Sequence, residues 1–394
     1  MNTQKLPYEG IRMVEFTHMV MGPTCGMLLA DLGAEVIKVE PPKGDNTRKL
    51  LGSGAGFYPL FNRNKKSLTL DLKTAEGREA AHKLIATADI VSHNFRPETM
   101  AAQGLDYETL QKINPRLIYI ELRGFLPGPY EHRTALDEVV QMMGGLAYMT
   151  GPVGQPLRAG SSVNDIMGGL FGGIAAMAAL KERDDPVNGT GLGQKVQSAL
   201  YENNIFLIAQ HMLQYAVTGV PAEPMPNRIS AWGVYDVFTV KNGEQIFLSA
   251  VSDKQWEVFC RILNLQDLKA DPKYLTNNDR VRERPQLIPI LRERLKGYSA
   301  AELTELFESN GLPYAPINRP EDLVNDPHLK ATGGLTPMTL PNGQVTDTVL
   351  FPFTLHGKQP GLRMNPPKLG EHSMELLQSL GYSEDQARQL LSNA

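Results

Sequence analysis

Residues 11–40 read IRMVEFTHMVMGPTCGMLLADLGAEVIKVE, and the fold turns on how this stretch is parsed. Residues 11–16 make a short apolar strand, and residues 17–23 a loop. A helix over 24–32 is closed by Gly33, and residues 35–40 form the next strand. Strand, helix, strand is the unit of a parallel sheet, because parallel neighbours need a long crossover. Working outward, residues 67–70, 89–94 and 117–122 read as further strands, with a helix over 77–86. Right-handed crossovers place them in one mostly parallel, doubly wound α/β sheet. A long helix over 165–183 then carries Gly168, Gly169, Gly172 and Gly173. Each interior glycine costs about 1 kcal/mol relative to alanine. Four together mark a close approach by another backbone or by a ligand. A polar loop over 184–193 leads to a second long helix from Gln197 to about Tyr215.

Composition changes after Val220, where the proline-rich stretch 221–227 reads as a linker. Lys241-Asn242-Gly243-Glu244 between two apolar runs, 233–240 and 245–250, is a strong hairpin signal. Ser252 can cap a helix reaching Leu263, and Ser299 with Glu302 forms a capping box for another. The expected organisation is a large α/β domain over 1–220 and a small α+β domain over 225–330. Residues 331–394 follow as a linker and C-terminal segment, with two short helices after Gly370-Glu371-His372.

The 394 residues carry 39 Lys+Arg against 43 Asp+Glu, a net charge of −4 that argues against a general nucleic-acid binder. The chain is long enough to bury roughly three quarters of its unfolded surface. Two cysteines, Cys25 and Cys260, give neither a disulfide framework nor a cysteine metal site, so a reducing, cytoplasmic setting is expected. Residues 1–10 lack the apolar core of a secretory signal. The longest apolar run, 166–180, falls short of the ~20 residues that span a bilayer, so no membrane role is expected.

The loop Thr17-His18-Met19-Val20-Met21-Gly22-Pro23 lacks the glycine fingerprint of nicotinamide binding, and Pro23 removes one amide. Glu40 therefore reads as a solvated strand end. Arg63-Asn64-Lys65-Lys66, with Lys73 beyond, is either a solvated basic loop or a site for an anionic phosphate. Asn94-Phe95-Arg96-Pro97 ends a strand where ligands sit in open parallel sheets. Asp165 opens the glycine-rich helix. A carboxylate there ordinarily caps free amides, but beside small residues it can also act as a nucleophile. The eight histidines show no metal-ligand spacing, and no G-x-S-x-G elbow occurs.

Several segments, in this order, resemble the family III CoA-transferases, the group of formyl-CoA, carnitine and dicarboxylate CoA-transferases and their relatives the α-methylacyl-CoA racemases. They are 29–40 (LADLGAEVIKVE), 62–67 (NRNKKS), Leu70-Asp71-Leu72-Lys73, Asn94-Phe95-Arg96-Pro97, 114–119 (NPRLIY), Asp165 before its glycines, 191–196 (GLGQKV) and Gly370-Glu371-His372-Ser373. The resemblance implies a large Rossmann-like domain made from the N-terminal half and the C-terminal tail. Long linkers would join it to the small α+β domain, and two chains would thread into an interlocked homodimer. It also implies an acyl-CoA donor and a carboxylic acid acceptor, with CoA as substrate and no tightly bound cofactor.

CoA contacts carry over to Val20, Met21, Leu70, Asp71, Leu72, Lys73, Asn94, Phe95, Arg96 and Arg133. Two arginines that some relatives use for the nucleotide fall here on Pro41 and Ala102, which shifts the expected phosphate contacts toward Arg63 and Lys65. Asp165 becomes the nucleophile, passing through an anhydride and an aspartyl-CoA thioester, with amides near the glycines stabilising the oxyanion. Some relatives have a glycine-run lid, whereas 221–233 here is proline-rich. The alternative is a racemase-like isomerase. Racemases carry a histidine in a Gly-His-Asp segment, and this chain has Ala135-Leu136-Asp137. Arg158, seven residues before Asp165, is either a partner for a remote substrate carboxylate or a surface arginine.

Overall fold

The computed structural model describes residues 5–228 and 230–392, which divide into two compact units, 5–226 with 327–392, and the described residues of 227–326. In the first unit, β1 (Arg12–Phe16), β2 (Glu35–Glu40), β3 (Lys65–Thr69), β4 (Ile90–His93), β5 (Ile118–Arg123) and β6 (Lys195–Ala199) form one sheet. Its order is β3-β2-β1-β4-β5-β6, and every pair is parallel. Strand order reverses between β1 and β4, and the crevice beyond their carboxyl ends is where such sheets take ligands. The helices are α1 (Met21–Asp31), α2 (Phe57–Phe61), α3 (Ala75–Ile85), α4 (Pro97–Ala102), α5 (Tyr107–Ile113), α6 (Asp137–Met143), α7 (Leu146–Thr150), α8 (Val163–Asp184) and α9 (Leu200–Thr218).

Alternation along the strands builds two cores. Val14, Ile37, Leu68 and Val91 pack with Leu84, Leu110 and Leu376 on one face. Met13, Val36, Ile90 and Ile118 pack with Leu29, Ala176 and Leu180 on the other.

Two boundaries differ from the sequence reading. Residues 195–199 are strand β6, not part of a helix from Gln197, because Tyr119 to Arg123 pairs with Lys195 to Ala199. Ala199 is still extended (φ −136°, ψ 145°), and α9 begins at the next residue. Helix α1 starts at Met21 inside the expected loop; Pro23 fits its first turn, where an amide has no intrahelical acceptor anyway.

The glycine stripe of α8 lies against α1 and β5. A Cβ on Gly169 would stand 2.4 Å from the Met21 carbonyl oxygen and 2.6 Å from Thr24 Cβ. On Gly173 its nearest neighbours are atoms of the Leu28 side chain, the Cδ2 methyl at 2.6 Å. Gly169→Ala is therefore expected to cost about 1–3 kcal/mol as overpacking against fixed backbone. Gly173→Ala, where a flexible side chain can yield, should cost less. Urea unfolding of both variants measures this; equal losses would contradict the packing account. Val163–Asp184 is also the one helix among the described residues long and apolar enough to cross a bilayer.

The charged residues of β1 to β3 correct two expectations. Glu40 is not a solvated strand end. It is 1% exposed and chelated by Arg48, with Nε and Nη2 each 2.7 Å from its oxygens. Arg63 and Lys65 do not reach a phosphate. Arg63 pairs with Asp31 at 2.7 Å and Lys65 with Glu15 at 2.8 Å, all four side chains being buried. A charge without water is tolerable only when paired, so these cations are consumed inside the fold.

The chain's end closes this unit. Thr69 N donates to Ser373 Oγ (3.0 Å), and His372 N donates to the Ser67 carbonyl (3.1 Å), covering the free edge of β3. Asn64 Oδ1 accepts from the Met364 amide (2.8 Å) and the Arg363 amide (2.6 Å).

In the second unit, β7 (Val234–Thr239), β8 (Gln245–Ala250) and β9 (Tyr314–Pro316) form an antiparallel sheet in that order. The β7–β8 turn has Asn242 (φ 61°) and Gly243 (φ 78°) in the left-handed region, as its residues require. Helices α10 (Asp253–Ile262), α11 (Gln266–Ala270), α12 (Asn277–Arg282), α13 (Arg284–Leu295) and α14 (Ala300–Ser309) supply Phe259, Leu291 and Phe307 to its core. Ser252 caps α10, and the Ser299–Glu302 capping box opens α14.

Candidate active site

A cavity of about 470 Å³ opens at the carboxyl ends of β1, β2 and β3. His18, Met19, Lys43, Lys73 and Phe95 are among its lining residues, with Leu70, Asp71 and Leu72 along one wall. The loop after β1 is pinned from β4. Asn94 accepts from His18 N (3.0 Å) and donates to the His18 carbonyl (2.9 Å), while the imidazole stacks on Phe95 at 4.9 Å. Burial lowers the His18 pKa, so the ring is neutral at pH 7 and presents an apolar face. Met19 next to it has φ 60°, a strained conformation for a side-chain-bearing residue, and its amide donates to Thr47 Oγ1 at 2.9 Å. Glu40 and Asp45 reach the cavity already paired with Arg48 and Lys38. Lys43 and Lys73 are exposed and have no ion-pair partner among the described residues; with the Asp71 carboxylate, likewise outside any ion pair, they leave the cavity one net positive charge from its unpaired groups.

The structure thus brings Leu70, Asp71, Leu72, Lys73 and Phe95 together around one cavity. Val20 and Met21, the N-cap and first residue of α1, are buried behind it and are not among its lining residues. Asn94 is occupied in holding the loop. Arg96 and Arg133 lie on the exposed segments beside it. Arg96 Nη2 donates to Thr134 Oγ1 (2.9 Å), and the Arg133 guanidinium lies over the Tyr130 ring at 4.1 Å.

Asp165 is the third residue of α8, half-buried. The capping that its position suggests is done by another residue. Asp137, at the start of α6, accepts from Asn164 N (2.8 Å) and Asp165 N (3.2 Å) through one oxygen. Gln141 donates to its other oxygen. The Asp165 carboxylate makes no hydrogen bond among the described residues. Burial first, and the nearby Asp137 charge second, push its pKa up to about 7; Arg158 pulls the other way.

Sequence reading missed Asp137 and Gln141 in this role, and local spacing could not have found them, since Asp137 lies 28 positions from Asp165. Gly168 and Gly169 lie inside α8, with their faces packed on Met21. Through that packing the start of α8 adjoins the same His18–Met21 loop that lines the cavity.

A parallel sheet of Rossmann strand order with a cavity at its carboxyl ends, and a carboxylate without a hydrogen bond on a glycine-faced helix, is an arrangement found in α/β enzymes. The chain belongs to CoA-transferase family III, whose model matches residues 8–373. It is 33% identical over 393 residues to a succinate–glutarate CoA-transferase of Agrobacterium fabrum, covering 96% of this chain and 97% of that protein. It is 31% identical to a succinyl-CoA–D-citramalate CoA-transferase of Chloroflexus aurantiacus, covering 96% and 95%. The crystal structure of a CAIB/BAIF family protein from Brucella suis superposes with a TM-score of 0.86 at 34% identity, over 96% of this chain and all of that one.

Proposed function

We propose that this enzyme moves CoA between short dicarboxylic acids, with Asp165 as the nucleophile and the cavity over β1 to β3 holding the nucleotide end of CoA. The observation that carries the reading is that Asp137 takes the amides at the start of α8, leaving the Asp165 carboxylate without a structural task.

The steps balance as follows. An Asp165 oxygen attacks the donor thioester carbonyl, the C–S bond breaks, and CoA thiolate leaves a mixed anhydride. The thiolate attacks the aspartyl carbonyl and releases the donor acid as carboxylate. The acceptor carboxylate then attacks the aspartyl-CoA thioester, and the thiolate takes the acyl group from the new anhydride, restoring Asp165. Carboxylates are weak nucleophiles, so positioning must supply much of the rate; well-oriented groups gain about 7–11 kcal/mol. Lys43 and Lys73 are suited to CoA phosphates as exposed, unpaired cations at the cavity. Racemase chemistry has no base at the expected place, where Leu136 stands 65% exposed.

The exposed apolar side chains of α9, among them Phe206, Met212, Leu213 and Val217, support the proposal of an interlocked homodimer, checked by light scattering. Cys25 and Cys260, both buried free thiols, fit the proposed cytoplasmic setting.

Incubation with a panel of acyl-CoAs and acids, read by mass spectrometry, tests the central reading. Exchange of acyl groups supports it. Absence of exchange with deuterium entering an α-carbon would replace it with isomerase chemistry. The attacking group must be ionised, so kcat/KM for the acyl-CoA donor is expected to rise with pH through about 7 and level off above it. Asp137→Asn removes a neighbouring negative charge and should move that limb to lower pH. A limb unmoved, or moved upward, would show that another group titrates.

A further inference from the structure

We propose that Arg158 docks the remote carboxylate of the dicarboxylic substrate and that Glu138 tunes this contact by competing for the same guanidinium. The inference rests on the CoA-transfer reading and extends it to a specificity device that is built on one helix.

Arg158 belongs to the irregular stretch between α7 and α8, which alone would be a loose platform. The stretch is tied down next door, where Ala159 N donates to Gln141 Oε1 at 2.8 Å. The same Gln141 donates to Asp137, which holds the Asn164 and Asp165 amides. Helix α6 therefore brackets both the nucleophile and the Arg158 segment, and the span between them is set by a rigid element rather than by the loop. Arg158 is near enough to Asp165 for its charge to favour the ionised carboxyl.

The guanidinium is also only partly used. Nη1 pairs with Glu138 Oε1, and Nε donates to the Ala159 carbonyl at 3.1 Å. The Nη2 donors have no hydrogen-bond partner among the described residues. The two ends of the Arg158–Glu138 pair are 39% and 57% exposed, so water already competes for it and the pair is easily shared. A dicarboxylic acid reacting at Asp165 carries a second carboxylate that can take this edge in a two-bond contact. A monocarboxylic acid has nothing to place there.

The test compares succinate and butyrate as acceptors, with one acyl-CoA donor and the full-length protein. In ping-pong kinetics, kcat/KM for the acceptor reports only the second half-reaction. Arg158→Met is expected to lower kcat/KM for succinate by about tenfold to a hundredfold, as loss of a charged hydrogen-bond pair does. Butyrate should stay within about threefold of wild type by the same reasoning. Glu138→Gln, which removes the competing charge, should raise kcat/KM for succinate several-fold and leave butyrate unmoved. Equal losses for both acids in Arg158→Met would mean a merely structural arginine, and a loss for succinate in Glu138→Gln would refute the competition. Either result overturns this assignment while transfer by wild type stands. Wild-type protein that exchanges no acyl group overturns both readings.

Discussion

Asp165→Ala is expected to lower CoA transfer by at least about a thousandfold, the scale of losses when a covalent nucleophile is removed. Binding of CoA should persist, because the cavity-lining residues come from β1 to β4 and the loops after them, not from α8. Helix α8 should also keep its start, since Asp137 rather than Asp165 caps it. These features separate a chemical defect from a folding defect. Calorimetry with CoA and circular dichroism should match wild type while turnover vanishes. In wild-type enzyme incubated with acyl-CoA, borohydride or hydroxylamine should modify the peptide containing Asp165. Residual transfer near wild type, or a label on another peptide, would remove Asp165 from the reaction.

The largest effect on stability is expected from Arg63→Ala. Asp31, fully buried, relies on Arg63 Nη2 at 2.7 Å and on Asn64 Nδ2 at 2.7 Å. Burial already raises the Asp31 pKa, against the pull of Arg63, so removing that cation leaves only the Asn64 hydrogen bond and the more remote Arg363 charge to offset it. Breaking a buried pair in this way costs about 3–5 kcal/mol. The lost stem adds to it, because the guanidinium also lies 5.7 Å from the Phe351 ring. The first urea transition should move to lower denaturant. Replacing both partners by apolar residues, Asp31→Leu with Arg63→Met, should recover much of the loss. A single variant as stable as wild type would show that the pair is dispensable.

The parallel sheet was legible because its strands are short apolar runs separated by glycine and helical periodicity. Strand β6 was not, since Lys195-Val196-Gln197-Ser198-Ala199 runs into α9 with no glycine or proline to mark the junction. At the site, Phe95 could be placed from its strand end, whereas Leu70 to Lys73 came from the family resemblance. The fate of the basic residues could not. Lys65 meets Glu15 fifty positions away and Arg63 meets Asp31 across 32, so cations that look free for a phosphate are spent in the interior. A comparable distance in sequence hid Asp137, whose carboxylate takes the amides at the start of α8 and leaves that of Asp165 without a hydrogen bond among the described residues. Ionic partners so far apart become visible only when the strands that carry them are side by side.

The clasp between β3 and the C-terminal segment bears on how the protein is born. Until residues beyond 327 have been synthesised, the emerging sheet has an uncovered margin at Lys65–Thr69 and lacks Leu376, Leu377 and Ala387 from its hydrophobic interior. The sheet must wait, through translation of the whole second unit, for the helices that carry Leu376 and Ala387 to arrive and seal it.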